Sequence, residues 1–297
     1  MTGRRWPFAS DCRLRTIDVV RESHRPKKSL GQNFLIDPNL QRKIVSALNA
    51  GPDDEVLEIG PGQGALTEHL EGTVSQLVLV ELDDGLAARL AARFSDRPDV
   101  RVVHGDVLQV ERTEHVRDPE ALLVIGNIPY NITTPILFRL LERPRPARIV
   151  LMVQDDVADR IVAPVGTRAY GALSVGVRSV ASVERLFGVG RKSFRPVPRV
   201  DSAIIRIEPF RPERTMVEEE ERLRTVVRAT FQWRRKQLGK ILRDHPDIAA
   251  PAGVAAAAAE AAGVALTDRP EQVSPEAFVR LAGALSRGRP EGGENAS

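Results

Sequence analysis

Cysteine is almost missing from this chain. Cys12 is the only one, so no internal disulfide can form and the composition is that of a reducing compartment. The five histidines (His24, His69, His104, His115 and His245) show no paired spacing of the kind metal ligands adopt, which argues against a structural zinc. No apolar run approaches the roughly 18–20 residues that a bilayer crossing requires. The Ala-rich stretch near Ala255 is short and is broken by Pro251, Gly253, Glu260 and Gly263. These absences point away from secreted disulfide scaffolds, zinc modules and membrane spans, and toward a cytoplasmic protein.

The sequence does hold the means to build a core. Its 297 residues are 42% hydrophobic and 28% charged, which suits one large domain or a large and a small one. The net charge of +3 is unevenly spread. Residues 1–28 carry eight Lys or Arg against Asp11, Asp18 and Glu22, with no apolar stretch of the signal-peptide kind and too many acids for a transit peptide. Residues 1–26 therefore read as a flexible basic arm. Two more basic clusters interrupt a nearly neutral body: Arg191, Lys192, Arg195 and Arg199 in a proline-bearing loop, then Arg234, Arg235, Lys236, Lys240 and Arg243. Separate basic patches on a neutral body are what a polyanion-binding surface could look like, although any one of them alone reads more readily as solvated surface.

Strand-like and helix-like runs alternate from Ile36 onward. Asp37 and Pro38 form an N-cap and first-turn proline, and Leu40, Ile44, Val45 and Leu48 follow at helical spacing toward Ala50. Five short apolar runs predict strands, at 56–59, 77–80, 100–103, 122–125 and 149–153. Helical patterns lie between them, including one to about Phe94 and one opened by Thr134 and Pro135. This order predicts an α/β fold with a mainly parallel sheet covered by helices on both faces. Asp201 to Ile207 alternates as a last strand, Pro209 to Pro212 reads as a linker, and the chain from about Met216 to Arg287 is helix-forming. The expected organisation is a large domain over 27–209, a small helical domain over 210–287, and a disordered tail over 288–297.

In such sheets ligands sit outside the carboxyl ends of the strands. Four segments distant in sequence thereby converge: Gly60-Pro61-Gly62-Gln63-Gly64, Glu81, Asp106 and Asn127. The glycines permit a sharp reversal and close backbone approach, a signal shared by nicotinamide, flavin and sulfonium cofactors. Glu81 stands where a strand-end acid accepts ribose hydroxyls, and Asp106 where a carboxylate accepts from an adenine amine. An adenosine-containing cofactor explains both. Asn127-Ile128-Pro129-Tyr130 then places an amide, a carbonyl followed by a proline without N–H, and an aromatic ring within four residues. An aromatic amine is a poor nucleophile because its lone pair is delocalised into the ring. Acceptors at the Asn127 side chain and the Ile128 carbonyl would take its two hydrogens and localise that pair, while Tyr130 stacks on the base. This is the chemistry of methylating a flipped adenine with S-adenosylmethionine, and it needs no metal.

Several ordered motifs carry a closer resemblance: Gly31-Gln32-Asn33-Phe34-Leu35, Glu58-Ile59-Gly60-Pro61-Gly62, Val80-Glu81-Leu82-Asp83, Gly126-Asn127-Ile128-Pro129-Tyr130-Asn131-Ile132, Phe194-Arg195-Pro196-Val197-Pro198-Arg199-Val200-Asp201-Ser202-Ala203 and Phe231-Gln232-Trp233-Arg234-Arg235-Lys236. Over about residues 27–285 the chain resembles the small-subunit ribosomal RNA adenine N6,N6-dimethyltransferases. The resemblance implies a Rossmann-like class I S-adenosylmethionine methyltransferase sheet with a small C-terminal helical domain. The implied activity is dimethylation of two adjacent adenines in the 3′-terminal hairpin of 16S rRNA, during biogenesis of the 30S subunit. Carried over by motif, Asn33 and Leu35 would lie over the methionine part of the cofactor and Gly60 against it. Glu81 would sit at the ribose, Asp106 at the adenine, and Asn127 where cofactor meets target. Phe194 would complete a sandwich around the target base with Tyr130, a stacking worth roughly 1–3 kcal/mol per base. Arg195, Arg199, Arg234, Arg235 and Lys236 are the expected rRNA contacts, and a monomer is the default state.

Three positions depart from the family pattern: Ile128 where leucine is common, Trp233 in the basic helical motif, and a longer lead before Lys27. A macrolide-resistance methyltransferase acting on 23S rRNA shares the crevice but commonly has serine where Asn127 stands. A DNA adenine methyltransferase usually opens the equivalent motif with an acid. From another class, a ribosome-assembly factor would act through binding itself.

Overall fold

The computed structural model describes Lys27 and residues 31–287; the expected basic arm and C-terminal tail lie outside the described residues. The first elements are a two-residue strand β1 (Phe34–Leu35) and helix α1 (Pro38–Leu48). The Asp37 carboxylate caps α1 by accepting from the amides of Asn39 and Leu40, and Asn49 ends it in a left-handed conformation at φ 52°, one residue before the Ala50-Gly51 stop that the sequence suggested. Such a cap is worth about 1 kcal/mol.

The body then alternates: β2 (Glu55–Ile59), α2 (Thr67–Leu70), β3 (Gln76–Glu81), α3 (Asp84–Arg93), β4 (Val100–His104), β5 (Leu123–Asn127), α4 (Thr133–Leu140), β6 (Arg148–Gln154), α5 (Asp155–Val162), α6 (Ala172–Arg178), β7 (Ala181–Val189), β8 (Phe194–Arg195) and β9 (Ser202–Pro209). Seven strands form one sheet in the order β4-β3-β2-β5-β6-β9-β7, and β1 pairs separately with β8. The pairs from β4 through β6 are parallel, whereas β9 lies antiparallel to both β6 and β7. This is the mainly parallel, Rossmann-like sheet that the sequence predicts, with β2 well inside it.

Alternation along the strands assigns side chains to two cores. Leu57, Val78, Val124 and Leu151 face one side with Ile136 and Leu140 of α4, Ile161 of α5 and Val177 of α6. Val56, Leu79, Ile125 and Met152 face the other with Ile44 and Leu48 of α1, Leu70 of α2 and Leu90 of α3. Strand β7 leaves no strand pattern in the sequence, for a physical reason. It is an edge strand, partly exposed along most of its length, and an irregularity between Arg185 and Phe187 breaks its register with β9, so no clean period of two survives.

Beyond the sheet come α7 (Val217–Gln232), α8 (Leu238–Asp244), α9 (Ala252–Ala262) and α10 (Pro275–Arg287). Their third core includes Ala163, Tyr170 and Val175 from the α5–α6 region. Tyr170 is fully buried beside Phe231, and its hydroxyl donates to the Val273 carbonyl at 2.7 Å. At the other end of α7, Glu220 accepts from Arg143 (2.7 Å) and Arg145 (2.6 Å); burial opposes ionisation of Glu220, but these guanidiniums outweigh it and hold the carboxyl below its usual range. The helices are thus tied to the sheet by an aromatic contact and a buried ion cluster. Among the described residues no helix is long and apolar enough to cross a membrane.

Candidate active site

The strand ends β2 to β5 open on a crevice of about 1420 Å³. That is larger than the roughly 300–1,000 Å³ of a site for one small molecule, and leaves room for a cofactor and a nucleobase side by side. Asn33, Leu35, Gly60, Glu81, Asp106, Asn127, Ile128 and Tyr130 all line it, so these sequence-expected residues meet in one place.

The glycine turn forms its wall. Gly60 and Gly62 have φ of +62° and +58°, conformations that L side chains rarely adopt. A β-carbon on Gly62 would also lie 3.1 Å from the ring of Phe34. Gly62 donates its N–H to Glu81 Oε2 at 2.9 Å, and Asp83 donates its own to Glu81 Oε1 at 2.8 Å. Both oxygens of Glu81 are therefore aimed, each with a lone pair left for a ribose hydroxyl. Burial raises the Glu81 pKa against the lowering effect of those two backbone donors. Asp106 is oriented likewise, its Oδ1 accepting from the Leu108 amide at 2.9 Å.

Glu58, quoted in a motif but given no role by the sequence, lies deeper. It is 2% exposed, lines the crevice and accepts from the Thr67 hydroxyl at 2.7 Å. Burial above all, with Glu81 nearby, pushes its pKa up to about 7 despite the Thr67 bond. Only tertiary burial distinguishes it from any other strand acid, so no local signal announced it.

On the opposite wall, Asn127 Nδ2 donates to the Asn33 carbonyl at 3.1 Å. Its Oδ1 and the Ile128 carbonyl accept no hydrogen bond among the described residues. The Tyr130 hydroxyl shares a 2.6 Å hydrogen bond with Ser202 Oγ, which ties the first residue of β9 to the ring beside the crevice. Burial keeps the Tyr130 phenol above its ordinary pKa, so it stays protonated.

The structure departs from expectation at Phe194. Its side chain is fully buried, it does not line the crevice, and it packs with Leu35, Val189 and Ile204. Pairing of β8 with β1 sets Phe194 opposite Leu35, so the aromatic anchors the proline-bearing loop instead of lining the crevice. Pro196, Val197 and Val200 are the apolar residues that this loop exposes, Val197 being 50% and Val200 41% accessible.

The basic residues also divide. Arg195 folds back to its own loop, donating to the Phe194 carbonyl at 2.9 Å. Arg234 donates to the carbonyls of Arg168 (3.0 Å) and Thr167 (3.1 Å) and lies 3.6 Å from Glu271, so it is a brace between α7 and the loop after α5. Lys240 and Arg243 pair with Asp244. The side chains of Arg199, Arg235 and Lys236 hold no hydrogen bond or ion pair among the described residues, and all three are exposed.

Comparison with known proteins agrees with this geometry. The family model described as ribosomal RNA adenine dimethylase matches residues 23–285. A protein of Pseudomonas putida named ribosomal RNA small subunit methyltransferase A is 42% identical over 264 residues, covering 89% of this chain and 96% of its own. One of the same name from Geobacter metallireducens is 42% identical over 226 residues, 75% of this chain and 82% of its own. Among solved structures, the 23S rRNA methyltransferase ErmE superposes with a TM-score of 0.64 at 31% identity, covering 86% of this chain and 100% of its own. A Plasmodium falciparum dimethyladenosine transferase shares the fold with a TM-score of 0.72 at 24% identity, covering 84% and 95%. The crevice is that of an S-adenosylmethionine-dependent methyltransferase, and the chain belongs to the ribosomal RNA adenine dimethylase family.

Proposed function

We propose that this enzyme dimethylates the N6 atoms of two adjacent adenines in the 3′-terminal hairpin of 16S rRNA, acting on the 30S subunit or its precursor. The observation that carries the reading is the pair of open acceptors at the end of β5, Asn127 Oδ1 and the Ile128 carbonyl. Identities of about 42% to proteins named for the small subunit, against 31% for the 23S enzyme, support the choice of rRNA, as does asparagine at position 127.

Bound S-adenosylmethionine supplies an electrophilic methyl on a sulfonium sulfur. Glu81 holds the ribose, Asp106 the adenine, and Gly60, Asn33 and Leu35 the methionine end. A flipped target base lies against Tyr130, whose ring is held by Ser202. The two acceptors take the N6 hydrogens, favouring the tetrahedral nitrogen whose lone pair attacks, and they strengthen as positive charge develops there. Residues 27–209 form the methyltransferase domain and 210–287 the rRNA-binding domain, where Arg235 and Lys236, together with Arg199 of the proline-bearing loop, meet phosphates. Arg195 supports that loop and Arg234 braces the helical domain.

The test is to incubate the protein with labelled S-adenosylmethionine and undermethylated 30S subunits, 50S subunits or duplex DNA, then map the label. Two adjacent labelled small-subunit adenines are expected. Label confined to 50S subunits would reassign the enzyme, and none at all, with 30S binding intact, would leave an assembly factor.

A further inference from the structure

Methyl transfer in this site depends on which way the Asn127 amide faces. Its oxygen and nitrogen are nearly isosteric, and the flipped amide would present a donor to an amine that needs an acceptor. The Asn33 carbonyl decides the matter, because it can only accept, and it accepts from Nδ2 at 3.1 Å. The remaining issue is what keeps Asn33 there.

The segment bearing Asn33 is stitched down at both ends. Downstream, β1 pairs with β8 and the Ile36 amide donates to the Ser193 carbonyl at 2.9 Å. Upstream, the Gln32 amide is a clasp. Its oxygen accepts from the Lys27 N–H at 2.8 Å, and its nitrogen donates to Asp83 Oδ2 at 3.2 Å. Lys27 Nζ lies 3.0 Å from that same Asp83 oxygen. Asp83 is 1% exposed. Its other oxygen caps α3 by accepting from Leu86 N at 3.1 Å, and its own N–H aims Glu81. One buried residue therefore joins Glu81, through its backbone N–H, to the segment that orients the Asn127 amide, through its carboxylate.

We propose that Gln32 and Asp83 are positioning residues, a clasp that holds the Asn33 carbonyl where it fixes Asn127 with its oxygen toward the target amine; this rests on the proposed amine-methylating reading. The clasp matters most for the second methyl. An unmethylated amine offers hydrogens to both acceptors, whereas N6-methyladenine keeps one N–H, so a loosely held Asn127 hurts the second transfer more than the first.

Gln32→Leu removes the clasp from one side. Asp83→Ser removes it from the other while leaving an N-cap for α3. Both are expected to turn over about tenfold more slowly and to release mostly monomethylated adenine, resolved from dimethyladenine by mass spectrometry of digested RNA, where the unaltered enzyme releases mostly the dimethyl form. In the cofactor-free proteins, the Ile36 amide should exchange its hydrogen at least tenfold faster. A wild-type product ratio in either variant overturns the proposal, as does unaltered exchange at Ile36. The ratio is read on whichever adenine the unaltered enzyme methylates, so an error in the identity of the rRNA moves the label and not this outcome.

Discussion

The two walls of the crevice treat their polar groups in opposite ways. On the wall proposed for the cofactor the acids are engaged beforehand: Glu81 by two backbone amides, Asp106 by one, and Glu58 by a hydroxyl. On the wall proposed for the target, Asn127 Oδ1 and the Ile128 carbonyl are left open among the described residues. Aimed carboxylates suit a ligand that binds alike in the ground and transition states, whereas open acceptors can strengthen as charge builds on a reacting nitrogen. Affinity should reside on one wall and rate on the other.

The largest effect expected is the one that splits those two quantities. Asn127→Ala should lower kcat by about 10²–10³-fold, the scale seen when one preorganised polar partner is removed from a reacting centre, with cofactor affinity and 30S binding nearly unchanged. Glu81→Ala should do the reverse. Losing a charged hydrogen-bonding partner costs about 1.5–3 kcal/mol, roughly a 10- to 150-fold rise in cofactor Kd with kcat at saturation held within severalfold. Equilibrium dialysis with labelled cofactor, paired with single-turnover rates, separates the two. A variant that moved both quantities equally would collapse the distinction between the walls.

Glu58 sharpens the same contrast through stability. Its native pKa of about 7 stands above the ordinary 4.5, so the unfolded chain ionises it first. Below about pH 4.5 the group is neutral in both states and costs nothing. Between that pH and about 7 the folded state loses stability as pH rises, reaching a plateau above 7 of about 3 kcal/mol. Glu58→Gln, which cannot ionise, should therefore unfold at a higher temperature than the unaltered protein at pH 8 and at the same temperature near pH 4.5. Thermal melts in the cofactor-free state at the two pH values check this, and a gap of equal size at both would mean that packing, not charge, sets it.

Much of this arrangement is legible in the sequence. Parallel-strand topology alone carries Gly60, Glu81, Asp106 and Asn127 to one crevice, because each lies at or just past the end of a strand whose apolar run is visible in the sequence. What cannot be read there are properties that exist only after folding. Phe194 sits among prolines and arginines that suggest a presented ring, yet β1 pairs with its strand and the ring is buried. The Asn33–Asn127 hydrogen bond spans 94 residues and leaves no local pattern. Arg234, Arg235 and Lys236 are indistinguishable as consecutive cations; only the geometry past the end of α7 turns the first inward to the Thr167 and Arg168 carbonyls.

That last distinction yields the smallest predicted effect and the most selective one. For each phosphate that a protein no longer neutralises, the slope of log affinity against log salt flattens by roughly 0.7–0.9. Replacing Arg235 and Lys236 together with alanine should thus reduce the slope of 30S binding by roughly 1.4–1.8 while leaving thermal stability unchanged. Arg234→Ala should leave the slope alone and lower Tm instead, at about 2–4 °C per kcal/mol for a body of this size, because it releases two carbonyls and the ion pair with Glu271. Salt titrations of 30S binding beside thermal melts resolve the pair. If Arg234→Ala flattened the slope as much as the double variant, its guanidinium would have to leave the carbonyls for a phosphate on binding, and the brace would belong to the free protein alone.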